Sequence, residues 1–198
     1  MSENNGRQTS VLLGLALFAM AVLVFLPAFH AGFLWGDDQL LTANPQVQSP
    51  DGWWTLWLKP CTADYFPLTS TTFWLEYQLG KFLSLWNVEF LQAYTQHGVW
   101  NGYHVVNALF HATAVVLTWR MLKRLRVPGA WVAAAIFAVY PVCVESVARI
   151  SERTNMISQI FLLLAVMAYV RFEEKGRLRT YVAALICFTL ALLAKSSA

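Results

Sequence analysis

At 198 residues, 58% hydrophobic and only 13% charged, the chain carries far less charge than a soluble domain, which is about one quarter charged. Its net charge of +3 sits in short basic blocks between apolar runs, which gives no nucleic-acid signature, and no nucleic-acid partner is expected. Cys61, Cys143 and Cys187 are an odd number without metal-ligand spacing, so neither a disulfide framework nor a zinc site is indicated.

In chain order, residues 1–10 read as a short cytoplasmic N-terminus ahead of Val11 to Phe29, a run with no ionisable residue. At roughly 1.5 Å per helical residue that run nearly matches a hydrocarbon core of about 30 Å. It is too long for a secretory signal. Bulky Phe33, Leu34 and Trp35 follow it where a cleavage site would need small residues, so a retained anchor is expected. Residues 30–102 form the longest segment outside the spans and hold seven of the nine tryptophans. Because tryptophan favours the headgroup layer, this outer loop is expected to lie along the membrane as amphipathic helices. One is predicted over Gly52 to Trp57. A second is predicted over Leu68 to Leu83, starting after Pro67 with Thr69, Ser70, Thr71 and Thr72 at its beginning. Asn44-Pro45 and Ser49-Pro50-Asp51-Gly52 read as turns.

Four more runs without Asp, Glu, Lys or Arg follow, at residues 103–119, 127–144, 154–170 and 180–194. With the first at 11–29 they predict an all-α, polytopic membrane helix bundle of five spans, the membrane-embedded domain covering residues 11–198. Nine of the 14 basic residues fall on one side when the N-terminus is cytoplasmic: Arg7, then Arg120, Lys123, Arg124 and Arg126, then Arg171, Lys175, Arg177 and Arg179. The positive-inside rule favours that orientation. It places residues 30–102 and 142–153 on the outer face of a multi-pass protein, in either a bacterial inner membrane or the endoplasmic reticulum membrane.

Three groups on or near that face can carry chemistry. Asp37 and Asp38 are adjacent carboxylates beside the headgroup layer, able to act as a general base or to help hold a cation. Equally, they are a solvated pair capping a surface helix that begins near Gln39. Glu145, Arg149 and Arg153 are spaced i, i+4, i+8, so one helix would line them along a single face. Two guanidinium forks at an interface suit a phosphate, with Glu145 and Glu152 orienting them, or else the residues form a salt-bridged helix surface or snorkel to lipid. His104, Asn107 and His111 make a polar stripe at i, i+3, i+7, expected to hydrogen-bond between helices, with a proton relay as the alternative.

Taken in order, several motifs carry a resemblance. They are Phe33-Leu34-Trp35-Gly36-Asp37-Asp38, Asp64-Tyr65-Phe66-Pro67-Leu68-Thr69, Trp74-Leu75-Glu76-Tyr77 and the stretch Gly102-Tyr103-His104 through Asn107 to His111. Tyr140-Pro141 through Glu145-Ser146, Glu152-Arg153-Thr154-Asn155 and Leu193-Ala194-Lys195-Ser196 complete the set. The chain resembles the N-terminal part of the transmembrane and tetratricopeptide-repeat protein O-mannosyltransferases, within the superfamily of membrane-embedded, lipid-phosphosugar-dependent glycosyltransferases. The resemblance implies that Asp37 is the base that takes a proton from an acceptor protein hydroxyl, and that Asp38 positions the acceptor or substitutes for Asp37. It implies a sugar donor, mannose, on a polyprenyl or dolichyl phosphate, and inversion at the anomeric carbon. Arg149 and Arg153 would stabilise the departing lipid phosphate, with Glu145, His104 and His111 in support. No metal and no cofactor are expected. Such enzymes have about twice as many spans, so a fragment is expected. The alternatives are a non-catalytic membrane binding or scaffold module and a small transporter.

Overall fold

The computed structural model describes residues 2–30, 32, 36–41, 43–59, 65–84, 95–96, 99–100 and 102–195. The apolar runs become helices. Helix α1 (Ser2–Val24) begins well upstream of the uncharged run and ends before Pro27, where a 3-10 turn (Leu26–His30) takes over. Among the described residues between 30 and 102, four helices follow: α2 (Asp37–Leu40), α3 (Pro45–Gln48), α4 (Gly52–Leu58) and α5 (Pro67–Ser84). The last two match the helices predicted from the tryptophan spacing and from Pro67. Asn44 starts α3 by accepting hydrogen bonds from the Gln46 and Val47 amides through its side chain, while Pro45 supplies a preset φ at the first turn. Gly52 is required where it stands, because a Cβ there would collide with the Gln46 carbonyl oxygen. A short hairpin pairs β1 (Thr95–Gln96) antiparallel with β2 (Val99–Trp100), a feature no alternation in the sequence announces.

The bundle continues with α6 (Tyr103–Arg124), α7 (Ala130–Val139), α8 (Cys143–Ala148), a 3-10 turn (Ile150–Glu152), α9 (Arg153–Lys175) and α10 (Leu178–Ala194). Among the described residues, three stretches are long and apolar enough to cross a membrane: Gly6–Val24, Tyr103–Arg124 and Ile150–Lys175. The other two expected spans are shorter apolar helices. α7 has ten residues and extends about 15 Å, half a hydrocarbon core. Pro141 is the cause, since it forces Tyr140 into an extended conformation (ψ 124°) and the helix stops at Val139. The chain is thus an all-α membrane helix bundle by its elements, with three long apolar helices and two shorter ones among the described residues.

α6 lies centrally, packed on α1, α7 and α9, and α10 folds back along α9. The α9–α10 turn closes at Gly176, whose positive φ of 60° and amide bond to the Phe172 carbonyl are a glycine-type helix stop. Small residues fill the seam between α1, α6 and α7. Ala21, Ala112, Ala134 and Ala138 are fully buried there around Leu17 and Val115, and a Cβ on Gly14 would stand 3.2 Å from the Trp119 ring. One end of the bundle gathers Ser10, Lys123, Arg124 and Glu174, through bonds of Lys123 to Ser10 and of Arg124 to Glu174, both 2.6 Å. The other end carries α2 to α5, the N-terminus of α6, residues 143–153 and the C-terminus of α10, around an apolar cluster of Leu41, Val47, Leu56, Phe73, Tyr103 and Ile150.

One local expectation changes. Glu145, Arg149 and Arg153 do not share one helix face, because α8 ends at Ala148, Arg149 is extended (ψ 122°) and α9 starts anew at Arg153.

Candidate active site

The site is organised by a buried arginine. Arg153, at the first turn of α9, is fully buried and directs its guanidinium between α5 and α6. Nε donates to Asn107 Oδ1 (2.6 Å), Nη1 to Thr72 Oγ1 (3.4 Å) and to Glu76 Oε1, and Nη2 to Glu76 Oε2 (3.2 Å) and the Tyr103 carbonyl (3.0 Å). Those five bonds match the five donors of a guanidinium. The Phe73 ring stacks on it at 4.6 Å, with Phe110 and Tyr103 at 5.7 and 5.8 Å. Glu76 is 7% exposed, and burial pushes its carboxyl above the usual carboxylate range against the opposing pull of Arg153. The pair is tolerable only because the fork-to-fork geometry and the neighbouring acceptors replace the lost water.

Asn107 extends the network to the backbone. Its Nδ2 donates to the carbonyls of Val147 (3.2 Å) and Arg149 (3.1 Å), so one amide side chain holds both the arginine and the end of α8. From the other side comes Asp37, fully buried, which accepts the Ser151 amide on Oδ1 (2.9 Å) and the Ile150 amide on Oδ2 (3.4 Å). The carboxylate thereby covers the start of the 3-10 turn, where free N–H groups favour an anion. Gly36 makes this possible. Its φ of 85° is a left-handed conformation that L side chains rarely adopt, and it turns the chain so that Asp37 faces inward. The expectation of a solvated Asp37 is therefore corrected. Asp37 does stand at the first position of a short helix, but its carboxylate bonds a turn 113 residues away in sequence rather than water.

Residues 149–153 are thus held from three directions: by Asn107 on the carbonyls, by Asp37 on the amides and by the anchored Arg153. At the rim runs a chain of polar side chains. Glu145 bonds Arg149 (2.8 Å), Arg149 lies 3.6 Å from Glu152, Glu152 accepts from Asn155 Nδ2, and Asn155 Oδ1 accepts from Lys195 Nζ. Arg149 is the accessible arginine, its side chain one third exposed. Farther down α6, His111 sits 3.3 Å from the Ala138 carbonyl of α7, between the rings of Phe25 and Phe137. His104 is fully buried one turn above Asn107. The side chain of Asp38, and residues Trp35, Cys61, Asp64 and Ser196, lie outside the described part of the chain. Among the described residues, no group of three or more His, Cys, Asp or Glu is placed to hold a metal ion.

The structure therefore brings Asp37 to the segment of Arg149 and Arg153, and keeps His111 in the helix seam instead. Glu76, Asn155 and Lys195 join the network without a role expected from the sequence, although each lies in one of the motifs that carry the resemblance.

Comparison with known proteins bears on the same region. Residues 82–198, more than half of the chain, match the model of the family described as dolichyl-phosphate-mannose-protein mannosyltransferase. A protein O-mannosyl-transferase of Caenorhabditis elegans is 27% identical over 187 residues, covering 87% of this chain and 25% of that protein. Protein O-mannosyl-transferase Tmtc2 of Drosophila melanogaster is 27% identical over 199 residues, covering 91% of this chain and 20% of the relative. Human TMTC3, also a protein O-mannosyl-transferase, is 26% identical over 178 residues, covering 84% and 18%. The chain spans about a quarter or less of the length of these relatives. No solved structure matches it. On the strength of a match across more than half its length, the chain belongs to the dolichyl-phosphate-mannose-protein mannosyltransferase family.

Proposed function

We propose that this chain supplies the acceptor-activating and phosphate-facing part of a membrane glycosyltransferase. In this reading it moves mannose from a polyprenyl- or dolichyl-phosphate carrier to a protein hydroxyl on the non-cytoplasmic side. The observation that carries the reading is the meeting of Asp37 with residues 149–151. A carboxylate and a partly exposed arginine that are far apart in sequence share one turn at the end of the bundle. Transfer of this kind needs a base for the acceptor hydroxyl and a cation for the leaving phosphate, and the two must be close to act on one bond. Asp37 is assigned the proton and Arg149 the phosphate. Arg153, with all five donors engaged inside the chain, is assigned to hold the turn that presents Arg149. Glu145 and Glu152 fix the guanidinium of Arg149, and His104 and His111 support α6. The basic end with Lys123 and Arg124 then lies in the cytoplasm and the α2–α5 layer rests on the outer leaflet.

Transfer of radiolabelled mannose from a polyprenyl phosphate to acceptor protein tests this, with the full-length protein in nanodiscs. Asp37→Asn is expected to lower kcat by about 10²–10⁴-fold, the usual contribution of a positioned base. Equal transfer by wild type and Asp37→Asn overturns the role of Asp37. Loss in Asp38→Asn alone would move the proton to Asp38.

The complete burial of Asp37 favours a second reading, in which it is a structural cap and the chain is a non-catalytic binding module. In that case Asp37→Asn lowers the unfolding temperature, and wild type transfers no mannose.

A further inference from the structure

The basic end of the bundle departs from two local rules of helix termination, each time at an arginine. Helix α6 stops in a left-handed turn. The Val127 amide donates to the Leu122 carbonyl (3.0 Å) and the Arg126 amide to the Lys123 carbonyl (3.2 Å), with Arg126 at φ 57°. That position is usually glycine, as it is at Gly176 (φ 60°), where α9 stops at the same end of the bundle. Among the described residues Arg126 is the one non-glycine residue with a positive φ, a conformation its Cβ makes costly. Arg177 and Arg179, in turn, flank the first residue of α10, at the positive end of its dipole. Asp, Ser or Thr would be favoured there, and cations are not.

Both places carry the same triplet. Arg124-Leu125-Arg126 and Arg177-Leu178-Arg179 each set a leucine between two arginines, and both leucines are exposed, at 48% and 70%. The positive-inside rule accounts for basic residues at this end. It does not account for an arginine in a left-handed turn, for arginines set against a helix dipole, or for the exposed leucine in each triplet. An anionic phospholipid accounts for all three. Its phosphate takes the guanidinium forks and lies favourably at the start of α10, while its acyl region takes the leucines. An acidic soluble partner would match the charge and leave the leucines in water. The wider surface has the matching sign, since residues 1–10, 120–126 and 171–179 hold nine Lys and Arg against Glu3, Glu173 and Glu174. On α1, a groove of about 440 Å³ is lined by Arg7 and Gln8 and, one turn farther along, by Val11 and Leu12, the polar-then-apolar order of a lipid.

We propose that the two Arg-Leu-Arg turns form a docking surface for anionic phospholipid in the leaflet around the basic end, the arginines binding headgroup phosphates and Leu125 and Leu178 entering the acyl layer. This surface lies at the opposite end of the bundle from Asp37 and Arg149, so it stands whether or not the chain transfers mannose.

Lipid retention tests it. The full-length protein is held in nanodiscs of mixed phosphatidylcholine and phosphatidylglycerol, and the lipids that stay bound are counted by native mass spectrometry. Both leaflets are open in a disc, so a change of membrane orientation cannot mimic a loss of binding. Wild type is expected to retain phosphatidylglycerol in preference. Arg126→Gly removes one charge and is expected to lower that preference about fivefold, the worth of one basic residue at an anionic surface. Because it also relieves the left-handed turn, it should raise the unfolding midpoint in phosphatidylcholine discs by about 2–4 °C. Arg177→Gln combined with Arg179→Gln should lower the preference about tenfold or more, and Arg126→Lys, which keeps the charge, should stay within about threefold of wild type. Unchanged preference in both Arg126→Gly and the double variant overturns the proposal. An equal loss in Arg126→Lys overturns it too, and so does an Arg126→Gly with a lower midpoint and wild-type preference, which assigns the arginine to the fold alone. Leu125→Ser combined with Leu178→Ser keeps every charge and is expected to reduce retention. Poly-glutamate added to phosphatidylcholine discs supplies the last arm. If it binds with dependence on the three arginines and none on the leucines, the surface belongs to an acidic protein and the lipid proposal is overturned.

Discussion

The two ends of this molecule are held together by opposite means. In the seam of α1, α6 and α7, alanines and a glycine let helices approach closely, and the stabilisation is contact between apolar atoms. At the end that carries α2 to α5 the same α6 is joined to α5, α8 and α9 through Asn107, Glu76 and Arg153, all nearly or fully removed from solvent. A seam of small residues can be shortened, slid or repacked at modest cost. A buried ion pair with every donor assigned allows one arrangement only, because any other leaves a charge or an amide without a partner. The difference teaches where geometry is being specified: at the end that carries Asp37 and Arg149.

The largest effect that tests this contrast is expected at Arg153. Arg153→Met removes the centre of the network and strands Glu76, and should destabilise by about 3–5 kcal/mol in unfolding measured in bicelles. Arg153→Met combined with Glu76→Leu removes both charges and should recover a large part of that loss, since an apolar pair of similar size packs in their place. A double variant as unstable as the sum of the singles would mean that the pair is not energetically coupled. Next in size is Asn107→Leu, which leaves the carbonyls of Val147 and Arg149 and the Nε of Arg153 without their partner. About 2–3 kcal/mol is expected, with a loss of Arg149 ordering that the apolar seam does not share.

How far this organisation can be read from sequence follows the same division. The long helices were legible because crossing a hydrocarbon layer demands an uninterrupted apolar run, and Val11 to Phe29 or the run at 154–170 satisfies it plainly. The end of the short α7 was legible too, since Pro141 marks where the regular helix stops. Pro141 breaks the helix inside an uncharged stretch, and a count of apolar residues continues past it. The amphipathic α4 and α5 were legible from Trp53, Trp54, Trp57 and Pro67. The Arg153 network was legible only in its members and never in its connections. Arg153 finds Glu76 77 residues earlier in the chain. Asp37 is bonded to backbone amides, which every residue but proline possesses and no pattern marks. Spacing of i, i+4, i+8 suggested one helical face for Glu145, Arg149 and Arg153, but the break at Arg149 sends Arg149 to the rim and Arg153 to the interior. The resemblance pointed to Asp37, yet only its partners explain why Gly36 precedes it.

In the seam, expected effects are smaller. Ala134→Leu or Gly14→Leu forces added volume into a contact that has none to spare, costing about 1–3 kcal/mol. If the Arg153 network specifies its own geometry, these variants lower the unfolding midpoint while the donor affinity is retained. A parallel loss of affinity would show that the seam positions the site after all.

The smallest effect on stability is expected at the far end, where Arg124 meets Glu174 in an exposed pair. Water competes for both groups there, and side-chain ordering offsets what the pair gains. Arg124→Ala should therefore leave the unfolding midpoint unchanged within error, although its bond to Glu174, at 2.6 Å, is shorter than most in the Arg153 network. Bond length does not decide the ranking; desolvation does. What the far end contributes is charge, through Arg120, Lys123, Arg124 and Arg126. Changing all four to glutamine should be nearly silent in unfolding yet alter which side of the membrane a cysteine in that loop is labelled from. Unaltered labelling would leave orientation to the first helix, and a large loss of stability would mean the basic end is packed as tightly as the end that holds Arg153.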